Sequence, residues 1–107
     1  MARAEIEHET LFAAAINTPG HARFAEIAAR DTVDAGLIVN NPPPELGSED
    51  FSFMLRQRPG CYFLIGQGDA DHQAVAHDVN YDFNDRILPI GASIFARLVK
   101  QRLAAQS

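Results

Sequence analysis

The hydrophobic pattern of the chain predicts strands that alternate with helices. Residues 5–13 alternate glutamates with less polar side chains, and this period of two is typical of a strand with one solvated face. Two shorter runs, 37–39 and 61–65, are apolar throughout, as expected for strands buried in the sheet of an α/β protein. Because the strand at 5–13 differs in composition from the other two, we expect it to belong to a different sheet.

Apolar stripes at helical spacing, together with capping residues, predict three helices. They are expected over residues 18–36, over 48–58, and from 84–89 to about 103. Thr18 and Pro19 suit the start of the first helix, and Gly36 suits its end. Ser48 is a candidate cap for the second helix. Strands separated by helices predict an α/β layered architecture.

Charge and composition exclude several classes of partner. The 107 residues include 14 acidic and 9 basic side chains, and this net charge of −5 argues against a broad nucleic-acid-binding surface. No apolar run approaches the roughly 20 residues that span a bilayer, so no membrane partner is expected. Cys61 is the only cysteine, so no internal disulfide can form. A reducing, cytoplasmic location is therefore the expectation.

Candidate metal-binding chemistry lies in the loop 66–79, which is polar, rich in Asp and His, and without periodicity. A histidine beside a sheet edge can present an imidazole nitrogen to a metal, so His77 is a candidate ligand. His72 is a weaker candidate in the same loop. On the residues alone, a solvated surface histidine is the commoner explanation for both.

A second candidate site lies at Gly47, Ser48, Glu49 and Asp50, where the second helix is predicted to begin. The free backbone N–H groups of a helix N-terminus can bind a substrate carboxylate. The two acidic side chains would oppose such an anion, so simple capping is an equally good explanation. Cys61 needs a nearby base to act as a nucleophile, and its apolar neighbours predict a core position instead.

The order of several short motifs along the chain is more informative than any one of them. In sequence they are Gly47-Ser48-Glu49-Asp50-Phe51-Ser52, Pro59-Gly60, Leu64-Ile65-Gly66, His77, Tyr81-Asp82-Phe83 and Leu88-Pro89-Ile90-Gly91-Ala92. This succession resembles the C-terminal third of the M20-type metallopeptidases, in the branch of hippurate hydrolases and auxin-conjugate (IAA-amino acid) amidohydrolases. Ala15-Ile16-Asn17 and the helix after it extend the resemblance over nearly the whole chain.

The resemblance implies a particular fold. It is the C-terminal portion of a layered α/β, zinc-peptidase-like catalytic domain, with one N-terminal strand from a lid or dimerisation domain. Residues 1–17 would end the lid domain, and residues 18–107 would belong to the catalytic domain.

The resemblance also implies metal-dependent hydrolysis of the amide bond of hippurate-like N-acyl amino acids. The cofactor would be one or two divalent metals, zinc or manganese before cobalt or nickel. His77 occupies the place of a family metal ligand, and the segment 47–50 resembles the one that lines the substrate side of the cleft. Residues 78–80 depart from the small or proline residues that the family pattern has there.

The family's general base and its other metal ligands belong upstream and match nothing in this chain. No catalytic residue is therefore assigned, and the chain alone is expected to be inactive. Expected partners are a small N-acyl amino acid substrate and either a second copy, forming a homo-oligomer, or the N-terminal part of the enzyme. The alternative is a noncatalytic module that retains the fold for binding or oligomerisation.

Overall fold

Three α-helices joined by long extended segments make up the computed structural model, which describes residues 1–105. The helices are α1 (Pro19–Arg30), α2 (Phe51–Gln57) and α3 (Leu88–Ala104), with short 3-10 turns at Ala35–Leu37 and Asp85–Ile87. The molecule is flat, measuring 67 × 41 × 20 Å. Its radius of gyration of 18.2 Å exceeds the roughly 13 Å expected for a compact chain of this length.

The core lies between α1 and α3, which pack against each other. Small side chains on α1, Ala25 and Ala28, are buried there together with Ile94 of α3. They are the only buried hydrophobic residues in the described part of the chain. Alanines at a helix contact allow a close approach, but they bury little apolar area, so the core contributes modestly to stability.

The segment 61–65 lies along α3. The rings of Phe63 and Phe95 are 5.8 Å apart, within the range of a favourable aromatic pair. Gly91 of α3 faces Ile65, and a Cβ at this glycine would lie 3.3 Å from the Ile65 Cδ1 atom. The absence of a side chain at Gly91 therefore allows this segment to pack closely on the helix.

The predicted α/β sheet is wrong, because residues 1–105 contain no β-strand. Residues 61–65 have the side-chain alternation of a strand, since residues 62 and 64 are exposed while residues 61, 63 and 65 are half-buried. A strand also requires hydrogen bonds from a neighbouring strand, and no segment of the described chain provides them here or at 37–39. The predicted N-terminal strand at 5–13 is exposed over residues 5–12 and makes no backbone hydrogen bond with the described residues.

Side chains replace part of the missing ladder next to α1. The Asn17 Nδ2 group donates to the Tyr62 carbonyl (2.8 Å), and the Tyr62 N–H donates to Asn17 Oδ1 (2.7 Å). The Thr18 N–H donates to the Gly60 carbonyl (2.9 Å), and the Gly60 N–H donates to the Thr18 hydroxyl (3.2 Å). These four bonds fix the start of the segment 61–65 to the start of α1.

Two of the predicted helix starts are confirmed. Pro19 takes the first position of α1, and α3 begins within the predicted interval and extends to Ala104. Thr18 precedes α1 as predicted, but its hydroxyl bonds to Gly60 and does not cap the helix. The second helix begins later than predicted, at Phe51, so Ser48 does not cap it.

The end of α1 comes earlier than the sequence predicts. The helix stops at Arg30, and the Thr32 hydroxyl donates to the Ala28 carbonyl (2.8 Å). A threonine hydroxyl that bonds to a carbonyl one turn back competes with the helical ladder. Gly36, the predicted C-cap, lies beyond this point in a 3-10 turn. None of the helices in the described residues is long and apolar enough to cross a membrane.

The Asn17 side chain offers a direct test of this arrangement. Replacing Asn17 with Ala removes both bonds to Tyr62, and we expect the free energy of unfolding to fall by about 1–2 kcal/mol. Urea denaturation followed by circular dichroism measures the loss. Asn80→Ala is the matched control, because the Asn80 side chain bonds only to nearby Asp78, and a change within about 0.5 kcal/mol is expected. Equal losses in the two variants would contradict the role given to Asn17.

Candidate functional site

Glu49 is the most constrained residue of the segment 47–50. Its carboxylate accepts a hydrogen bond from the Phe51 N–H (3.1 Å) and another from the Tyr62 hydroxyl. Glu49 is half-buried, whereas Gly47 and Ser48 are exposed. The first free N–H of α2 therefore binds the carboxylate of Glu49, whereas sequence analysis predicts Ser48 as the cap.

The contact between Glu49 and Tyr62 changes the acidity of both groups. The Phe51 N–H, followed by the Tyr62 hydroxyl, lowers the pKa of Glu49. The same hydrogen bond and the charge of Glu49 raise the pKa of Tyr62. The Tyr62 ring also packs on Phe51 at 5.3 Å. Asp50 precedes α2 with an exposed side chain that makes no capping bond. The segment 47–50 is thus anchored at Glu49 and open at its other three residues.

His77 differs from Glu49 of the segment 47–50 because no hydrogen bond among the described residues holds its side chain. It is exposed, and it makes no hydrogen bond or ion pair with any of residues 1–105. Its backbone has a φ of 74°, in the left-handed region that residues with a side chain seldom adopt. Such strained positions cluster at functional sites. No hydrogen bond within the described chain connects this residue to the segment 47–50.

His72, the other histidine of the loop, is half-buried and held by a carboxylate. Its Nδ1 atom lies 2.7 Å from Asp69 Oδ1, and its Nε2 atom lies 3.9 Å from Asp82 Oδ2. The His72 side chain, followed by the Asp71 N–H, lowers the pKa of Asp69 from 3.8 to about 2. One ring nitrogen of His72 is therefore already engaged within the loop.

Asn84 joins the start of this loop to the chain just before α3, and sequence reasoning missed this role. It is 5% exposed, and its Nδ2 group donates to the Gln67 carbonyl (2.9 Å) and to Asp69 Oδ2 (3.0 Å). Its N–H donates to Gln67 Oε1 (3.1 Å), and its Oδ1 accepts from the Arg86 N–H (3.1 Å). The sequence offers a signal for only one pair in this cluster, because Asp69 lies three residues before His72 and such close spacing favours contact. The contact between Asn84 and Gln67 joins residues 17 apart, and the hydrophobic periodicity of the sequence does not predict contacts at that distance.

The remaining candidates carry no chemistry here. Cys61, predicted to be core, is only half-buried, and this burial raises the pKa of its thiol. A raised pKa keeps the thiol protonated and unreactive. His8 and His21 are exposed, and neither forms an ion pair with the described residues.

The residues present do not fit a complete metal centre. No group of three or more His, Cys, Asp or Glu side chains among the described residues could hold a metal ion. A catalytic zinc takes three protein ligands and an open position. His77 is free to supply one ligand, and the rest of the set is not found in residues 1–105.

The acidity of Asp69 gives a prediction. Its folded-state pKa lies below its ordinary value, so the stability it contributes is present above about pH 4 and is lost as the pH falls towards 2. Carbon-detected NMR of the Asp69 carboxyl should give a midpoint near 2, and His72→Ala should move it towards 3.8. His8→Ala, an exposed histidine far from the loop in sequence, is the control. A wild-type midpoint near 3.8 would show that the contact with His72 does not persist in solution.

The chain is similar in sequence to a peptidase family and to individual plant and bacterial proteins. The sequence matches the profile of Peptidase family M20/M25/M40 over residues 3–101. IAA-amino acid hydrolase ILR1-like 2 of Arabidopsis thaliana is 39% identical over 61 residues, which cover 56% of this chain and 14% of that protein. ILR1-like 5 of the same plant is 33% identical over 66 residues, covering 60% of this chain and 15% of that protein. YhaA of Bacillus subtilis (strain 168), named as an amidohydrolase, is 24% identical over 94 residues, which cover 86% of this chain and 24% of that protein.

The family match covers most of the chain, whereas the matches to individual relatives are partial. No solved structure matches the chain at a significant level. The aligned stretches span at most 24% of the length of the relatives described above. The family profile nevertheless confirms the resemblance seen in the ordered motifs. The chain belongs to Peptidase family M20/M25/M40.

Proposed function

We propose that the chain serves as part of a metal-dependent amidohydrolase that cleaves the amide bond of N-acyl amino acids of the hippurate type. Family membership over residues 3–101 supports a hydrolase of amide bonds. The names of the similar plant proteins, which are IAA-amino acid hydrolases, support an N-acyl amino acid substrate. The cofactor we propose is a divalent metal, with zinc or manganese ahead of cobalt or nickel.

The observation that carries the proposal is the conformation of His77. Its imidazole is exposed and unpartnered within the described chain, and its backbone is held in the left-handed region. A left-handed conformation costs roughly 1–2 kcal/mol for a residue with a Cβ. The Asp78 N–H donates to the Val75 carbonyl (3.1 Å) and closes a turn that holds this conformation. A ligand role would use the exposed imidazole that the turn presents.

The segment 47–50 is the proposed substrate side of the site. Gly47 and Ser48 are exposed, so their backbone and hydroxyl groups are free to meet a substrate. Glu49 has a different role from theirs, because its carboxylate already accepts from Phe51 and Tyr62. We therefore propose that Glu49 holds the segment in place while Gly47, Ser48 and Asp50 face the substrate.

The chemistry of bond cleavage needs groups that the described chain does not provide. We propose that the general base and further metal ligands come from another polypeptide segment, and that the chain alone is inactive. The exposed apolar side chains are consistent with such a partner, since Leu46, Leu64 and Val79 are each more than 70% exposed. We further propose that residues 1–17 belong to a lid or dimerisation domain and residues 18–107 to the catalytic domain.

The test uses the polypeptide as it occurs in its source cells. An antibody against this chain gives the native size and isolates the protein for assay with hippurate, N-acetyl amino acids and indole-3-acetyl amino acids. We expect a polypeptide several times larger than the chain and metal-dependent release of free amino acid. His77→Ala should lower kcat/KM by at least about 100-fold, beyond the effect of residues that merely support ligands. His21→Ala is the control.

Three outcomes would each contradict part of the proposal. Hydrolysis that survives His77→Ala would remove the ligand role. A native band at the size of the chain, without hydrolysis, would favour the noncatalytic binding or oligomerisation module. Hydrolysis by the isolated chain that depends on His77 would disprove its predicted inactivity.

The strain at His77 can be measured separately from activity. His77→Gly and His77→Ala both remove the imidazole, but only alanine keeps the left-handed penalty. We expect the glycine variant to be more stable by about 1 kcal/mol, because its greater freedom in the unfolded chain offsets part of the relief. Thermal or urea unfolding of the two variants measures the difference. A more stable alanine variant would show that the backbone at this position is not strained.

A further inference from the structure

Residues Gln67, Asp69 and Asn84 form a hydrogen-bonded network, here called the loop-base network, that closes the loop 68–83. Gln67 precedes the loop, and Asn84 follows it, 17 residues later in the chain. Three hydrogen bonds join these two sides directly. The Gln67 Nε2 group donates to the Asp82 carbonyl (3.0 Å), and Asn84 donates to both the carbonyl and the Oε1 atom of Gln67.

Asp69 extends this network into the loop. Its Oδ2 atom accepts from Asn84 (3.0 Å) and from Arg86 Nη1 (3.4 Å). Its Oδ1 atom accepts from the Asp71 and His72 N–H groups (both 2.9 Å) and lies 2.7 Å from His72 Nδ1. One carboxylate thus connects the base of the loop to the turn that begins it.

The network is also attached to the rigid part of the molecule. Asn84 is 5% exposed and accepts from the Arg86 N–H, so it caps the 3-10 turn that leads directly into α3. A fully bonded, buried amide of this kind fixes its own rotamer, because every alternative leaves polar groups unpaired. The base of the loop is therefore set by α3.

The tip of the loop has no comparable attachment. Between residues 74 and 81 the hydrogen bonds are local, from the Asp78 N–H to Val75, from Asn80 to Asp78 and from the Tyr81 N–H to Asp78. His77 lies among these residues and makes no hydrogen bond or ion pair with the described chain. Among the hydrogen bonds of residues 1–105, those at the base of the loop are the ones that connect this tip to α3.

We infer that Gln67, Asp69 and Asn84 are positioning residues that hold His77 where the proposed function needs it. This inference rests on the proposed function for its catalytic consequence, but the positioning itself can be measured without any reaction. Closing a loop costs conformational entropy, and an unclosed loop of this length samples many arrangements of its tip. Loss of the network therefore frees His77 without touching it.

The central experiment compares two glutamines. Gln67→Ala removes the bonds from the Gln67 side chain to Asp82 and Asn84. Gln73→Ala is the matched control, because Gln73 lies in the same loop and its side chain bonds only to the nearby Ala70 carbonyl (2.8 Å). Both variants are made in the native polypeptide. Gln67→Glu is the conservative variant, since it keeps the acceptor for the Asn84 N–H.

Hydrogen exchange gives the first readout. In Gln67→Ala we expect amides of residues 74–82 to exchange about tenfold faster, with those of α1 and α3 unchanged. Gln73→Ala should leave the exchange of residues 74–82 at its wild-type rate. Asn84→Ala should reproduce the effect of Gln67→Ala, and unchanged α3 exchange shows that each variant is folded. Unchanged exchange at 74–82 in folded Gln67→Ala overturns the positioning role, whatever the activity.

Kinetics give the second readout. We expect Gln67→Ala to lower kcat by about 10- to 100-fold, as displacement of a reacting group does, while KM stays near the wild-type value because the segment 47–50 is untouched. Gln67→Glu should recover part of kcat. Faster exchange with an unchanged kcat overturns the catalytic consequence of the network. A wild-type polypeptide that hydrolyses no N-acyl amino acid refutes the proposed function instead, and the exchange result still decides the positioning.

Discussion

The four hydrogen bonds between Asn17-Thr18 and Gly60-Tyr62 are the interaction on which the rest of the structure depends. They place the segment 61–65 beside the start of α1, and that segment then packs on α3 through Phe63 and Ile65. The exit of the same segment leads to Gln67, and Tyr62 within it holds Glu49. Both candidate loops are thus positioned by one extended segment, whose start is fixed by the Asn17 and Thr18 side chains and by the Thr18 backbone N–H.

The helices could be predicted from sequence because their signals are local. Pro19 at the first position of α1 and the apolar stripe of α3 depend on residues within a few turns of each other. The sheet could not be predicted in this way. The alternation at 61–65 is present in the side-chain exposure, but pairing depends on a distant neighbour, and Asn17 supplies a side chain where a strand would supply backbone. Periodicity describes the environment of side chains and leaves backbone pairing undetermined.

The candidate site was predictable to a similar extent. The position of His77 in a polar loop and the anchoring of an anion at the start of α2 both follow from local sequence, although the anion is Glu49 rather than a ligand. The left-handed backbone of His77 has no signal in the sequence. Neither does the role of Asn84, whose partners lie 15 and 17 residues away and come together only when the loop closes. The backbone conformation of His77 and the closure of the loop by Asn84 exist only in the folded chain, so residue types alone could not predict them.

The loops are held more by hydrogen bonds than by packing, and this has a mechanical consequence. The buried apolar residues of the described chain are Ala25, Ala28 and Ile94, whereas many larger apolar side chains remain in solvent. A single hydrogen bond contributes only about 0.5–1.5 kcal/mol net, so a loop fixed by a few such bonds opens more readily than one buried in a core. A surface that covers the exposed apolar side chains would stabilise the segment 61–65 from its free side. The geometry at both Glu49 and His77 would then become more rigid together, because both loops are attached to that segment.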